Sequence, residues 1–138
     1  MEWTEIKTDE DIQHLNELYD FFLDSVIVRM EYVSGNYINK EYEGYIEDAN
    51  DLKILFQRMD GNPFSIELWF TNTKRVCFLF SNPQDNFMLD ILYAKVCKND
   101  KTFFWTVWDE FDPYDEEHIL GTTLIEAYGL KWRIVENE

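Results

Sequence analysis

A chain of 138 residues, 46% hydrophobic and 17% aromatic, has the size of one domain (1–138) and can bury roughly two-thirds of its unfolded surface, which excludes a disordered chain and one that needs disulfide or metal staples. Its 28 acidic residues outnumber 12 basic ones, for a formal charge of −16; so little positive charge argues against nucleic acid or an anionic membrane as partner. No apolar run reaches the ~18 residues of a membrane span, and the opening MEWTEIKTDED has neither the basic start nor the apolar stretch of a secretion signal, so the cytoplasm is the expected compartment.

In chain order, Trp3 and Ile6 belong to an extended arm. TDEDIQHLNELYDFF follows, with Ile12, Leu15, Leu18, Tyr19 and Phe22 at helical steps. Thr8 suits the N-cap, and Asp9, Glu10 and Asp11 suit the positive end of the helix dipole. After Asp24 the period falls to two: SVIVRMEYV reads as a strand with Val26, Val28, Met30 and Tyr32 on one face. SGN is a turn, YINKEYEGYI a second and more polar strand, and EDAND another turn. LKILFQRM is a strand, ended by the strong turn signal DGNP. FSIELWF, TNTK and RVCFLF have the spacing of a hairpin. NPQDN is a turn, FMLDILYAKV a strand, KND a turn and KTFFWTVW its partner strand. The tail TTLIEAYGLKWRIV admits an opening helical turn, but its β-branched residues and Gly129 favour one or two bulged strands.

Strands joined by such short turns pair antiparallel, because a parallel pair needs a long crossover. The expected class is therefore α+β: one N-terminal helix packed on a large curved antiparallel sheet of about seven or eight strands. Cys77 and Cys97 lie in apolar runs and read as reduced, buried thiols acting as small apolar side chains. The five tryptophans, at 3, 69, 105, 108 and 132, are divided between the core and a binding surface.

Catalytic and cofactor signatures are missing. There is no P-loop, no G-x-G-x-x-G and no G-x-S-x-G elbow, and Cys77, Cys97, His14 and His118 have no zinc-site spacing. His14 and His118 read as surface histidines. No enzyme, cofactor or metal is expected.

The stretch WDEFDPYDEE, Trp108 to Glu117, carries six carboxylates in ten residues. It fails as a calcium loop: its aspartates step by three, Pro113 interrupts, and no glycine falls at the required position. It offers instead aromatic anchors amid acids, a composition suited to docking a Lys/Arg-rich protein surface. The candidate partner-binding residues are Trp108, Asp109, Glu110, Asp112, Tyr114, Asp115, Glu116 and Glu117. The bland alternative is a tucked-in loop with solvated acids.

The run FFLDSVIVRMEYVSGNYI carries Phe22, Asp24, Ser25, Tyr32, Ser34, Gly35 and Tyr37. It resembles a group of small, acidic, uncharacterised bacterial proteins in which a Phe-His-Asp-Ser pattern ends the first helix and Tyr-x-Ser-Gly-x-Tyr follows on a strand. ILFQR (54–58), IELWF (66–70) and LKWR (130–133) extend the resemblance along the chain. Leu23 departs from it, standing where the pattern has His, so chemistry at that position is not carried over; Asp24 and Ser25 fit a helix-to-strand corner with side chains bonded to nearby backbone. The resemblance implies the class of immunity proteins of bacterial toxin systems. The expected function is a cytosolic acidic protein that docks a basic protein partner. A DNA mimic using Glu41, Glu43 and Glu47, a small-ligand binder or enzyme with an aromatic pocket, and a domain without separable activity stay open, as does the oligomeric state.

Overall fold

The computed structural model describes residues 2–47, 49–79 and 91–136. In chain order these form β1 (Thr4–Glu5), α1 (Asp9–Leu18), β2 (Ser25–Val33), β3 (Tyr37–Ile38), β4 (Gly44–Tyr45), β5 (Asp51–Arg58), β6 (Ser65–Cys77), β7 (Lys95–Asn99), β8 (Thr102–Thr106), α2 (Glu116–Ile119) and β9 (Leu124–Ile134). Among the described residues, seven strands make one antiparallel sheet in the order β2-β5-β6-β9-β8-β7, with β1 beside β9, while β3 and β4 form a separate two-stranded ribbon. The class is α+β, as the turn lengths dictate.

The helix starts where its caps say. Thr8 Oγ1 accepts from the Asp11 backbone N–H at 3.1 Å, and Asp11 Oδ2 accepts from the Thr8 backbone N–H at 3.0 Å, a reciprocal capping box. Ile12 and Leu15, with Tyr19 and Phe22 beyond the helix, are buried against the inner face of the sheet. That face is built from alternate residues: Leu52, Ile54 and Phe56 of β5, Ile66, Leu68 and Phe70 of β6, and Phe103 and Trp105 of β8. Each fully buried aromatic adds roughly 1.5–3 kcal/mol of transfer free energy. Asn16 closes the β7 edge: its Nδ2 donates to Val96 O at 2.8 Å and its Oδ1 accepts from Val96 N at 2.9 Å. A side-chain amide thereby takes the place of a neighbouring strand.

Between α1 and β2 the chain turns through left-handed backbone at Asp20, Phe21 and Phe22 (φ 47°, 51° and 59°) and again at Asp24 (φ 57°). Non-glycine residues there cost about 1–2 kcal/mol each. The turn seats Phe22 against Phe56 at 5.0 Å and Trp105 at 5.7 Å, and that burial offsets the strain. Ser25 Oγ donates to Phe22 O at 2.6 Å, the corner bond expected of it. Asp24 contributes through its backbone: its N–H donates to Ile91 O and its carbonyl accepts from Met59 N.

Several local expectations are corrected. FSIELWF-TNTK-RVCFLF is not a hairpin: β6 runs unbroken from Ser65 to Cys77 and pairs with β9 along both halves, with a register shift between Thr73 and Arg75. TNTK has no Gly or Pro, and Asn72 at φ 53° absorbs the irregularity while the Asn72 and Thr73 N–H groups donate to Ala49 O and Asn50 O. YINKEYEGYI adds no strand to the main sheet; its ends form β3 and β4. In β2 the alternation breaks at a bulge between Ile27 and Arg29, so Ile27, Met30 and Tyr32 stand opposite Phe56, Ile54 and Leu52, and Val28 leaves the face assigned to it. NPQDN and Phe87–Asp90 lie outside the described residues; Ile91 makes an isolated bridge to Ser25, and pairing resumes at Lys95. The tail is one long strand, and a Cβ at Gly129 would lie 2.1 Å from Thr71 Oγ1, so a side chain there would force Thr71 to move. Both cysteines are free and half-buried rather than buried.

Candidate functional site

The acidic stretch is a folded loop with a short helix, not an open string of charges. It lies on the outer face of the sheet, away from α1. Phe111 packs on Phe104 of β8 with ring centroids 4.9 Å apart. The Trp108 backbone N–H donates to Thr106 Oγ1 and its indole Nε1 to Thr122 Oγ1, both at 3.1 Å. Its ring stacks on His118 at 4.1 Å. His118 is therefore a keystone rather than a surface histidine: its Nδ1 accepts from the Asp112 backbone N–H at 2.9 Å, and its Nε2 stands 3.6 Å from Asp115 Oδ2.

Three of the candidate aspartates hold the loop together. Asp112 Oδ1 accepts from Tyr114 N, and Asp115 Oδ1 caps α2 by accepting from Glu117 N, each at 2.9 Å. Asp109 Oδ1 accepts from the Tyr93 hydroxyl at 3.0 Å, and Lys95 Nζ donates to the Asp109 carbonyl. Burial first, and then that bond to Asp109, push the Tyr93 phenol up to about 12. Burial likewise pushes the Cys97 thiol on neighbouring β7 up to about 11, which keeps it a thiol at neutral pH. Glu110, Glu116 and Glu117 face solvent, and Tyr114 is 85% exposed. Trp108, the intended aromatic anchor, is half-buried within the loop.

Comparison with protein-family models, with curated proteins and with solved structures finds no match to this chain. A functional reading therefore rests on residues and geometry. No helix among the described residues is long and apolar enough to cross a membrane. Among the same residues no group of three or more His, Cys, Asp or Glu is set to hold a metal ion.

The feature that strand-by-strand reading missed is the arm at residues 34–47. It leaves the sheet after β2 and returns before β5. Tyr37 and Tyr45 stack face to face, 4.8 Å apart and 11° from parallel. Its tip is closed by Asn39, whose Oδ1 accepts from Glu41 N and Glu43 N, both at 2.9 Å, while Asn36 Oδ1 accepts from Glu47 N at 2.8 Å. At the base, the Tyr32 hydroxyl donates to Asn50 Oδ1 at 2.9 Å, Ser34 Oγ accepts from Asn36 N at 3.0 Å, and Gly35 takes φ +82°. The Tyr-x-Ser-Gly-x-Tyr pattern thus shapes the root of this arm.

On that frame the arm presents Ile38 at 72% exposure, Tyr42 at 92% and Ile46 at 87%, alongside Glu41, Glu43 and Glu47. An open concavity of about 480 Å³ lies against the ribbon, lined by Asn36, Tyr37, Ile38, Gly44, Tyr45 and Ile46. Exposed apolar patches mark interaction surfaces, and Ile38 and Ile46 line this one together. The clue in the sequence was NKEYEGYI, where large apolar residues alternate with charge and neither fits a two-sided strand nor a helix.

Proposed function

We propose that this is a binding protein that docks a basic protein partner and blocks it, in the manner of a toxin-immunity inhibitor, and that the arm is the docking element. The observation that supports this is the arm itself: a hydrogen-bonded scaffold offering Tyr42, Ile46 and Ile38 to solvent with three glutamates interleaved. Large, pre-positioned apolar anchors supply affinity at low ordering cost. Surrounding carboxylates select a partner whose apolar groove is rimmed by Lys and Arg. The −16 charge accelerates encounter with such a partner. The bacterial group that the sequence resembles is suspected of the same class of role.

A second reading places the dock on the acidic loop, where exposed Tyr114 stands among Glu110, Glu116 and Glu117. The test separates the two. Wild type, Tyr42→Ser/Ile46→Ser and Glu110→Gln/Glu116→Gln/Glu117→Gln serve as baits in the native lysate at about 50 mM and about 500 mM salt, which differ in screening. A basic protein held stoichiometrically by wild type and by the loop variant, but lost from the arm variant, is the expected result. Loss from the loop variant alone moves the dock to the loop. Wild-type bait that holds no basic protein at either salt overturns the function.

A further inference from the structure

The ribbon of the arm has two unlike faces. In register, Tyr37 stands opposite Tyr45 and Ile38 opposite Gly44. The pairing continues in both directions: Asn39 N donates to Glu43 O at 3.0 Å, and a Cβ placed on Gly35 would meet the Glu47 Cβ at 3.4 Å. Side chains alternate across extended backbone. One face therefore carries Tyr37 and Tyr45, with Glu43 and Glu47 on either side of Tyr45 along its own limb. The other face carries Ile38 and Ile46, with the bare Gly44 beside them.

The tyrosine face lacks a cation. Elsewhere the chain covers ring faces with its own: Lys53 and Lys131 each stand 4.6 Å from the Trp69 ring centroid, Arg133 stands 4.3 Å from that of Trp3, and Lys74 stands 4.6 Å from that of Tyr128. Tyr37 and Tyr45 are both exposed, yet among the described residues no Lys or Arg lies over either ring. Among the same residues none forms an ion pair with Glu43 or Glu47. Lys40, the basic residue nearest in sequence, is exposed at the tip and reaches neither these rings nor these carboxylates. Glu43 Oε1 accepts a bond of 3.4 Å from Asn39 Nδ2, which leaves its other oxygen.

Two near-parallel rings 4.8 Å apart spend their inner faces on each other. The outer face of Tyr45 is left between two carboxylates. A ring face beside a carboxylate is the combination that recognises a guanidinium: its plane stacks on the ring, its N–H fork reaches the acid, and it gives up water more readily than an ammonium. Residues two apart on a strand are separated by about 7 Å, so a guanidinium on Tyr45 has either glutamate within reach.

We propose that the outer face of Tyr45, between Glu43 and Glu47, is the seat of one arginine side chain of the basic protein partner. The inference rests on the docking role of the arm and names what the arm selects. Arginine rather than lysine meets the tyrosine face, while Ile38 and Ile46 meet apolar surface on the other.

Tetra-arginine and tetra-lysine peptides, titrated into the full chain at about 0.15 M salt and followed by the ring-proton NMR signals of Tyr37 and Tyr45, test it. The peptides have equal charge, so general attraction to an acidic protein cancels. Tetra-arginine should move the Tyr45 ring and half-saturate it at a concentration at least about fivefold lower than tetra-lysine. Tyr45→Leu should abolish that preference. Glu43→Gln/Glu47→Gln keeps the ring stack and an acceptor for Asn39, and should weaken tetra-arginine at least about fivefold, so the seat is tested even if Tyr45→Leu loosens the ribbon. Equal half-saturation by the two peptides overturns the proposal. So does a Tyr45 ring that neither peptide moves, or an arginine preference that the glutamine variant leaves intact. The seat and the docking role fail separately. A basic protein lost from the Tyr42→Ser/Ile46→Ser bait but held undiminished by Tyr45→Leu sinks the seat and spares the docking arm. A wild-type bait that holds no basic protein sinks the docking role, and the peptide titration still decides the seat.

Discussion

The acidic loop and the arm are both rich in carboxylates and aromatics, and the chain uses them in opposite ways. In the loop the functional groups are consumed inward. Trp108 stacks on His118 at 4.1 Å with Phe111 at 6.0 Å, Asp112 and Asp115 hold backbone N–H groups, and Asp109 binds Tyr93. In the arm most of the hydrogen bonding is done by asparagines, at positions 36, 39 and 50, with Glu43 accepting from Asn39 Nδ2 at 3.4 Å, which leaves Tyr42, Ile38, Ile46, Glu41 and Glu47 to face out. The lesson is that density of charge does not identify a docking site. What identifies one is the part of the composition that the local fold leaves unengaged, and by that measure the arm exceeds the loop.

The largest effect that would break this contrast is loosening the loop. Trp108→Ala removes the His118 stack and the Thr122 bond, and should cost about 2–3 kcal/mol in urea unfolding; a loss under about 0.5 kcal/mol would show the loop to be as unengaged as the arm. The arm variant Tyr42→Ser/Ile46→Ser should behave oppositely, holding stability within about 0.5 kcal/mol of wild type, as for exposed positions, while weakening any partner bound there at least tenfold. A large stability loss from it would mean that these side chains are packed after all.

Asp115→Ala should cost about 1 kcal/mol by removing the α2 cap, and Asp115→Asn only a fraction of that, because the amide oxygen still caps; equal effects would mean that charge, not capping, is what Asp115 supplies. The smallest effect is a pH dependence that belongs to neither region. The backbone N–H of Lys7, then that of Thr8, hold the Asp11 carboxyl below its ordinary 3.8. A carboxyl lowered in the folded state adds stability above its unfolded value, and the contribution fades as pH falls through the lower folded value. The protection of amides at the start of α1, relative to their intrinsic exchange at the same pH, should accordingly fall below pH 3.8, and that fall should be absent in Asp11→Asn.

The helix, its cap, most strand cores and the α+β class were legible in the sequence because each depends on neighbours. Thr8 sits three residues from Asp11, and Ile12, Leu15, Tyr19 and Phe22 repeat at a helical period. Antiparallel pairing followed from turn lengths. What misled was also local: TNTK looked like a turn, yet the pairing of Thr73 with Ala127 and Val76 with Ile125 carries β6 through it as one strand. A turn propensity of this weak kind yields to a ladder of cross-strand bonds whose partner lies about 50 residues away in sequence.

By itself, then, the sequence determined the size of the core, the sign of the charge, the first helix and the antiparallel habit, since composition and short-range periodicity are local properties. Only the tertiary structure decided which carboxylates are engaged and which are free. It brought Lys53, Trp69, Lys131 and Arg133 from three strands onto one patch, and it made a keystone of His118. The physical reason is the same in each case. Desolvation, stacking and cross-strand charge pairing depend on distances of a few ångströms between residues far apart along the chain, and pairing register and packing, rather than spacing in sequence, set those distances.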